Sequence, residues 1–203
     1  MLDENGFDLW ADGYDRTVGL SDEDGSYPFA GYREVLGRIY GRVMAMGRSK
    51  VLDIGFGTGT LTARLYGQGC EIWGQDFSGR MLELAGKKMP GAHLFQGDFS
   101  RGLAAPLLEQ RYDAVVATYS LHHLTDGQKV ELIRLLKTLS PQKGSLLMGD
   151  VAFSTAEELE NCRKAVGKGW DEDEIYFVYD RLKPFFPALE FEPVSFCAGV
   201  FCL

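Results

Sequence analysis

The chain is most readily bounded by what it lacks. No apolar run in its 203 residues approaches the ~18 needed to cross a bilayer, which excludes a transmembrane helix. The opening residues Met1-Leu2-Asp3-Glu4-Asn5 are acidic and polar, without the basic and apolar regions of a secretory signal, so a cytoplasmic location is expected. No run of lysine or arginine interrupts a net charge of −8, and such a field repels nucleic acid. The four cysteines (Cys70, Cys162, Cys197 and Cys202) form no CxxC pair and keep no metal-ligand spacing with the three histidines. Buried, reduced thiols and no bound metal are the expectation. Repeats, low-complexity tracts and Pro/Gly/Ser-rich linkers are absent too, so residues 1–203 are read as one domain.

What is present is a regular alternation. Strand-like runs at Lys50–Ile54, Glu71–Gln75, His93–Gln96, Asp113–Tyr119 and Ser145–Val151 are separated by segments with helical spacing of apolar residues. That order predicts a parallel sheet with crossover helices on both faces. Ser78 and Thr125 are placed to cap two of the helices, and Ser154-x-x-Glu157 and Thr155-x-x-Glu158 offer alternative capping boxes for a third. Val35, Ile39 and Val43, beside Leu36, Tyr40 and Met44, make an amphipathic helix leading into the first strand. Leu189–Cys197 and Gly199–Leu203 lie too close for a crossover, so they pair antiparallel. The acidic runs Asp22-Glu23-Asp24 and Asp171-Glu172-Asp173-Glu174 are expected to be solvated.

The most informative segment is Val51-Leu52-Asp53-Ile54-Gly55-Phe56-Gly57-Thr58-Gly59, where a strand passes into a helix. Glycines at alternate positions let backbone turn sharply and approach a ligand. Dinucleotide-binding loops read G-x-G-x-x-G; here the third glycine comes one residue early. Asp53 is also poorly matched to a pyrophosphate and well matched to an ammonium. S-adenosyl-L-methionine carries an ammonium and no phosphate. Asp76 closes the second strand, where a carboxylate accepts from both ribose hydroxyls. Asp98 follows the third and can accept from an adenine amine, with Phe99 offering its ring face.

These residues resemble the class I S-adenosylmethionine-dependent methyltransferases along nearly the whole chain. Within them, Phe7-Asp8-Leu9-Trp10-Ala11-Asp12-Gly13-Tyr14-Asp15 and the stretch Tyr112–Asp126, containing Tyr119-Ser120-Leu121-His122-His123, are similar to motifs of the YrrT-like group. The resemblance implies a Rossmann-like, doubly wound sheet of seven strands, mostly parallel, with an antiparallel C-terminal strand. It implies that the Gly55–Gly59 loop holds the methionine part, Asp76 the ribose and Asp98 the adenine. Residues 1–48 become N-terminal helices and a lid, and 49–203 the cofactor-binding sheet with its hairpin. Group members often carry glutamate at the end of the first or second strand, where this chain has aspartate. Residues 19–30 match no pattern.

For the chemistry, methyl transfer from a sulfonium needs alignment and exclusion of water more than a base. Where the acceptor must lose a proton, His122 or His123 at the ligand edge can take it, although the pair can equally just shape its loop. Tyr14, beside Trp10 in the lid, can face the sulfonium or bond the carboxylate, and Tyr119 can line the same pocket. No Asn/Asp-Pro-Pro-Tyr/Phe follows the fourth strand, where amino-methylating nucleic-acid enzymes of the superfamily usually carry one. A small-molecule acceptor is therefore expected. The aromatics Tyr27, Tyr32, Trp170, Tyr176, Phe177 and Tyr179 suggest an apolar or planar one, or else serve for the most part in the core. Two other readings are a non-catalytic S-adenosylmethionine sensor and, less well supported by the glycine spacing, a nicotinamide oxidoreductase.

Overall fold

A computed structural model describes residues 22–142 and 145–203. Its central feature is one sheet in the order β3-β2-β1-β4-β5-β8-β7. Here β1 is Lys50–Ile54, β2 Glu71–Asp76, β3 His93–Gln96, β4 Ala114–Thr118, β5 Leu146–Phe153, β7 Glu190–Pro193 and β8 Ala198–Cys202. A two-residue strand, β6 (Phe177–Val178), pairs with β5 off this path and makes eight. Strands β1 to β5 are mutually parallel, and β8 runs antiparallel to both neighbours. The expected inverted C-terminal strand is therefore in place.

Burial grades from centre to edge as a doubly covered sheet requires. Every residue of β5 is buried, and all but one in β1 and β4, whereas β3 and β7 read exposed at both ends. Helix α1 (Tyr32–Ala45) lays Val35, Leu36, Ile39 and Val43 on one face of the sheet. Gly149 of β5 lets it approach, because a Cβ there would stand 2.3 Å from Val35 Cγ1. Arg42 and Arg38 both pair with Glu192 and tie the same helix to the β7 edge.

The crossover helices obey their local signals. Ser78 caps α3 (Gly79–Lys88), which follows the short α2 (Thr62–Gly67), by accepting from Met81 N. After the one-turn α4 (Ala105–Leu108), Thr125 and Gln128 form a capping box on α5 (Asp126–Leu139). Of the two boxes offered for α6 (Ala156–Val166), Thr155 is the cap, and Glu158 Oε2 accepts from Ser154 N. The single-turn α7 (Tyr179–Leu182) then leads to the hairpin. Three of the four cysteines are buried and all four are free thiols. No helix among the described residues is long and apolar enough to cross a membrane.

One expectation needs correcting. Asp171-Glu172-Asp173-Glu174 is not simply solvated: Asp171, Asp173 and Glu174 line the main cavity, and Glu174 faces a buried histidine. Of the six aromatics left open between pocket and core, only Tyr32 is on the cavity wall, with Phe29 and Tyr119 beside it, and the core reading holds for the others. Phe177 and Tyr179 pack instead on Phe201 and Phe191 under the hairpin. Tyr27, Trp170 and Tyr176 pack on one another behind the wall. Their rings follow the larger apolar area available in the protein interior.

Candidate active site

A cavity of about 630 Å³ opens over the carboxyl ends of the strands, where ligands bind in sheets of this kind. Gly55, Gly57, Asp76, Asp98, Phe99, Tyr119, His122, His123 and Glu174 all line it. Most of the expected site residues are thus brought together. Trp10 and Tyr14 lie outside the described residues.

The glycine loop is built by three different demands. Gly55, Gly57 and Gly59 all have positive φ (72°, 55° and 77°), a region costly for side chains. At Gly55 the close neighbour is protein: a Cβ would stand 2.3 Å from Ser120 Cβ, and Ser120 Oγ donates to Ile54 O at 2.7 Å. At Gly59 it is α3, with Met89 Cε 3.0 Å from a built Cβ. Gly57 alone faces open space and lies on the cavity wall. Backbone approach to a ligand therefore falls to Gly57, while Gly55 locks the loop after β1 onto the loop after β4.

Asp76 fixes that arrangement. Its Oδ2 accepts from Gly57 N at 2.8 Å and its Oδ1 from Ser78 N at 2.9 Å, so the carboxylate bridges two loops. An ionised carboxylate offers about four acceptor sites, and this one lines the cavity. Asp98 accepts from Ser100 N (2.9 Å) and Ser100 Oγ (2.5 Å) and pairs with Arg101, turning the chain so that Phe99 reaches the wall.

Asp53 is placed differently from the others. It is 1% exposed, behind the loop and not on the cavity wall, and its Oδ1 has no hydrogen bond of good geometry among the described residues. Burial pushes its carboxyl up to about 7; the adjacent Thr62 hydroxyl opposes the shift and Asp76 adds to it. A buried carboxylate oxygen left this way is poised for a cation.

A 3-10 turn (Leu121–His123) follows β4. The residue that feeds it, Tyr119, adopts φ 50°, uncommon for a residue with a side chain, and packs on Tyr32 and Phe29. His122 is buried, with Nδ1 at 2.6 Å from Asp150 Oδ1 and Nε2 at 3.4 Å from Glu174 Oε1. Burial alone depresses its basicity, but Asp150 and Glu174 outweigh that and raise it. Burial and the neighbouring His122 charge hold His123 down at about 3. Glu174 is raised by burial.

The segment carrying Glu174 is pinned from both sides. Ile175 N donates to His122 O at 2.8 Å, and the fully buried Lys129 donates to Ile175 O. Tyr176 hydrogen-bonds Tyr27, whose hydroxyl accepts from Asp171 N. Asp150, Glu174 and Lys129 were missed from sequence. Asp150 lies inside a continuous apolar strand, Glu174 inside an acidic run and Lys129 on a helix face. The one signal available was an aspartate in the otherwise uncharged strand Leu146–Phe153, a position that needs a partner.

The doubly wound sheet with its inverted last strand, and a cavity walled by glycine loop and strand-end acids, define a Rossmann-type methyltransferase. Comparison with known proteins specifies the family. Residues 51–144 match the model of a methyltransferase domain. An uncharacterised YrrT methyltransferase of Halobacillus halophilus is 32% identical over 197 residues, 94% of this chain and 89% of that one. An uncharacterised methyltransferase of Oceanobacillus iheyensis is 35% identical over 155 residues, covering 76% and 70%. The chain belongs to this family of YrrT-like methyltransferases. Among solved structures, DhpI in complex with S-adenosylhomocysteine superimposes with a TM-score of 0.69 at 19% identity, covering 97% of this chain and 92% of that chain. The magnesium protoporphyrin IX methyltransferase of Synechocystis PCC 6803, also with S-adenosylhomocysteine, gives 0.66 at 17%, covering 85% and 83%. At such identities these two speak for the fold.

Proposed function

We propose that the protein transfers a methyl group from S-adenosyl-L-methionine to a small-molecule acceptor. The observation that carries this reading is one cavity lined both by Gly57 and Asp76 and by His122, His123 and Glu174. The residues fit the cofactor on three counts. Gly57 leaves open space where a Cβ would stand, the Asp76 carboxylate lines the cavity where a ribose diol would meet it, and Asp53 Oδ1 has no hydrogen bond of good geometry among the described residues. A dinucleotide would bring its pyrophosphate up to that buried acid.

When bound, S-adenosyl-L-methionine supplies an activated methyl group on its sulfonium. The chain's own part is alignment and desolvation. Asp76 and Asp98 hold the nucleoside, and the Asp53 carboxyl draws the ammonium to the loop. Tyr119, with Phe29 and Tyr32, packs an apolar wall that excludes water. His122 has both ring nitrogens facing carboxylates, so it is a positioned group and not a free base. The acidic lining at Asp171, Asp173 and Glu174, with the net charge of −8, disfavours nucleic acid as acceptor.

Thermal unfolding with S-adenosylhomocysteine tests the cofactor assignment. At ~100 times its Kd the ligand stabilises by about 2.7 kcal/mol. A shift with NADH and none with S-adenosylhomocysteine overturns it. Incubation of the protein with methyl-labelled S-adenosylmethionine and a metabolite extract, separated by size, tests the acceptor: label is expected in the small-molecule fraction, and label only in polymer refutes it.

A further inference from the structure

We propose that His122, His123 and Glu174 form a site for one divalent transition-metal ion on the acceptor side of the cavity. The proposal deepens the methyltransferase reading and rests on it for the identity of the opposite wall. Each of the three residues offers one ligand atom, and these atoms lie within 4.8 Å of one another. Two imidazoles and a carboxylate on one side of a cavity leave coordination positions open toward the other.

Two geometric observations separate this cluster from an ordinary polar contact. The first is spacing. His122 Nε2 and Glu174 Oε1 are 3.4 Å apart, long for a hydrogen bond between charged groups. Two ligands at 2.0–2.2 Å from a tetrahedral ion are themselves about 3.4 Å apart. The second is the support behind the ring. Asp150 Oδ1, in a residue 1% exposed, lies 2.6 Å from Nδ1, so the ring donates Nδ1–H to Asp150 and turns Nε2 to the cavity. A carboxylate behind a histidine in this way is the usual outer support of a metal-binding imidazole.

The backbone holds the third ligand without help from an ion. Ile175, next to Glu174, is anchored through its N–H to His122 O and through its carbonyl to Lys129 Nζ. In the metal-bound form the ion takes the place of the Nε2 proton, which goes to solvent, and bridges His122 to Glu174. The donor set lacks a thiolate, and all four cysteines are elsewhere as free thiols. Nitrogen and oxygen ligands of this kind suit zinc or iron(II) better than copper(I). The open positions would take an oxygen or nitrogen of the acceptor and hold it across from the methyl donor. That assigns the acceptor to ligands able to coordinate a metal, such as a hydroxy acid, an amino acid or a phenol with an adjacent donor.

Cobalt(II) is a suitable probe. The full chain is freed of metal with chelator, returned to chelator-free buffer and titrated with cobalt(II), following visible absorption and calorimetric stoichiometry. One ion per chain is expected, weakened at least tenfold in both His123→Ala and Glu174→Gln and unchanged in His93→Ala, whose ring stacks on Trp73 at the other end of the sheet. Thermal shifts with S-adenosylhomocysteine on the same samples show that each variant is folded. Absence of a stoichiometric cobalt(II) complex, or equal affinity in wild type and both site variants, overturns the metal site. Loss of the S-adenosylhomocysteine shift in wild type overturns instead the cofactor reading.

Discussion

The two walls of the cavity are made in opposite ways. The wall of Gly55, Gly57, Asp76 and Asp98 comes from residues at the carboxyl ends of consecutive strands, each placed by the sheet itself. Its hydrogen bonds are short-range in space and mostly within loops that leave neighbouring strands, such as Gly57 N to Asp76. The opposite wall joins a turn after β4, an aspartate inside β5 and a loop beyond α6, with partners 28 and 52 residues apart in the chain. One wall is a property of the fold class, and the other depends on pairings between distant parts of the chain. The first is the place proposed for the cofactor and the second the place proposed for the acceptor.

The largest effect that would break this division concerns Asp76. It organises two loops and, in the proposed complex, both ribose hydroxyls. Charge-assisted hydrogen bonds contribute about 1.5–3 kcal/mol each, so Asp76→Ala should weaken S-adenosylhomocysteine at least a hundredfold, measured by calorimetry. An effect below tenfold would remove Asp76 from the cofactor wall. Next comes a pair of glycines. Gly55→Ala meets Ser120 and carries the positive-φ cost, together about 2–5 kcal/mol of stability, read from the denaturant midpoint. Gly57→Ala carries only the φ cost, and its Cβ enters open space, so its loss should appear mainly in ligand affinity. Equal stability losses in the two variants would contradict the separate roles.

Asp150→Asn probes the other wall. It keeps the shape but replaces the carboxylate behind His122, and a 10–100-fold drop in turnover is expected, as for supporting groups of this type. The Kd for S-adenosylhomocysteine should stay within threefold. If cofactor affinity falls with turnover, the walls are not independent.

The same division explains what could be read from sequence. β1 with its Asp53–Gly59 loop, Asp76 at the end of β2 and the Ser78 cap were legible because each is a local pattern with a local cause. The hairpin was legible because its linker is too short for a crossover. Glu174 was not, since nothing within residues 171–174 distinguishes the one acid that meets His122 from three that do not. Nor was Lys129: it occupies a position on α5 where an apolar residue would serve the core, and the Ile175 carbonyl, the Phe177 ring and Asp126 account for it. Tyr27, Trp170 and Tyr176 stayed open between pocket and core because aromatic content says nothing about direction. The three glycines looked equivalent and are not, because the Cβ that each excludes meets a different neighbour.

Asp53 tests where the cofactor wall ends, and its expected effect is the smallest. Its carboxyl is raised to about 7 in the fold, above the ordinary carboxylate range of the unfolded chain. A raised folded value means the folded chain holds this proton more tightly, so stability from this group is complete at low pH and is lost as pH rises toward 7. A cationic ligand reverses the preference, because it binds best to the ionised form. Affinity for S-adenosylhomocysteine should therefore fall as pH drops below about 7, by up to tenfold per unit, or about 1.4 kcal/mol. Calorimetry in buffers of different ionisation enthalpy should show a proton released on binding near pH 6. Asp53→Asn should flatten both trends: stability of the unliganded protein should no longer decline between pH 5 and 7, and affinity should no longer rise. Because Asp53 lies behind the loop and off the wall, the interaction must act through the Gly55–Gly57 backbone. A pH-independent affinity alongside a pH-dependent stability would mean that this distance is too great. Asp53 would then belong to the fold of the loop, and the ammonium would have to be held by groups on the cavity wall itself.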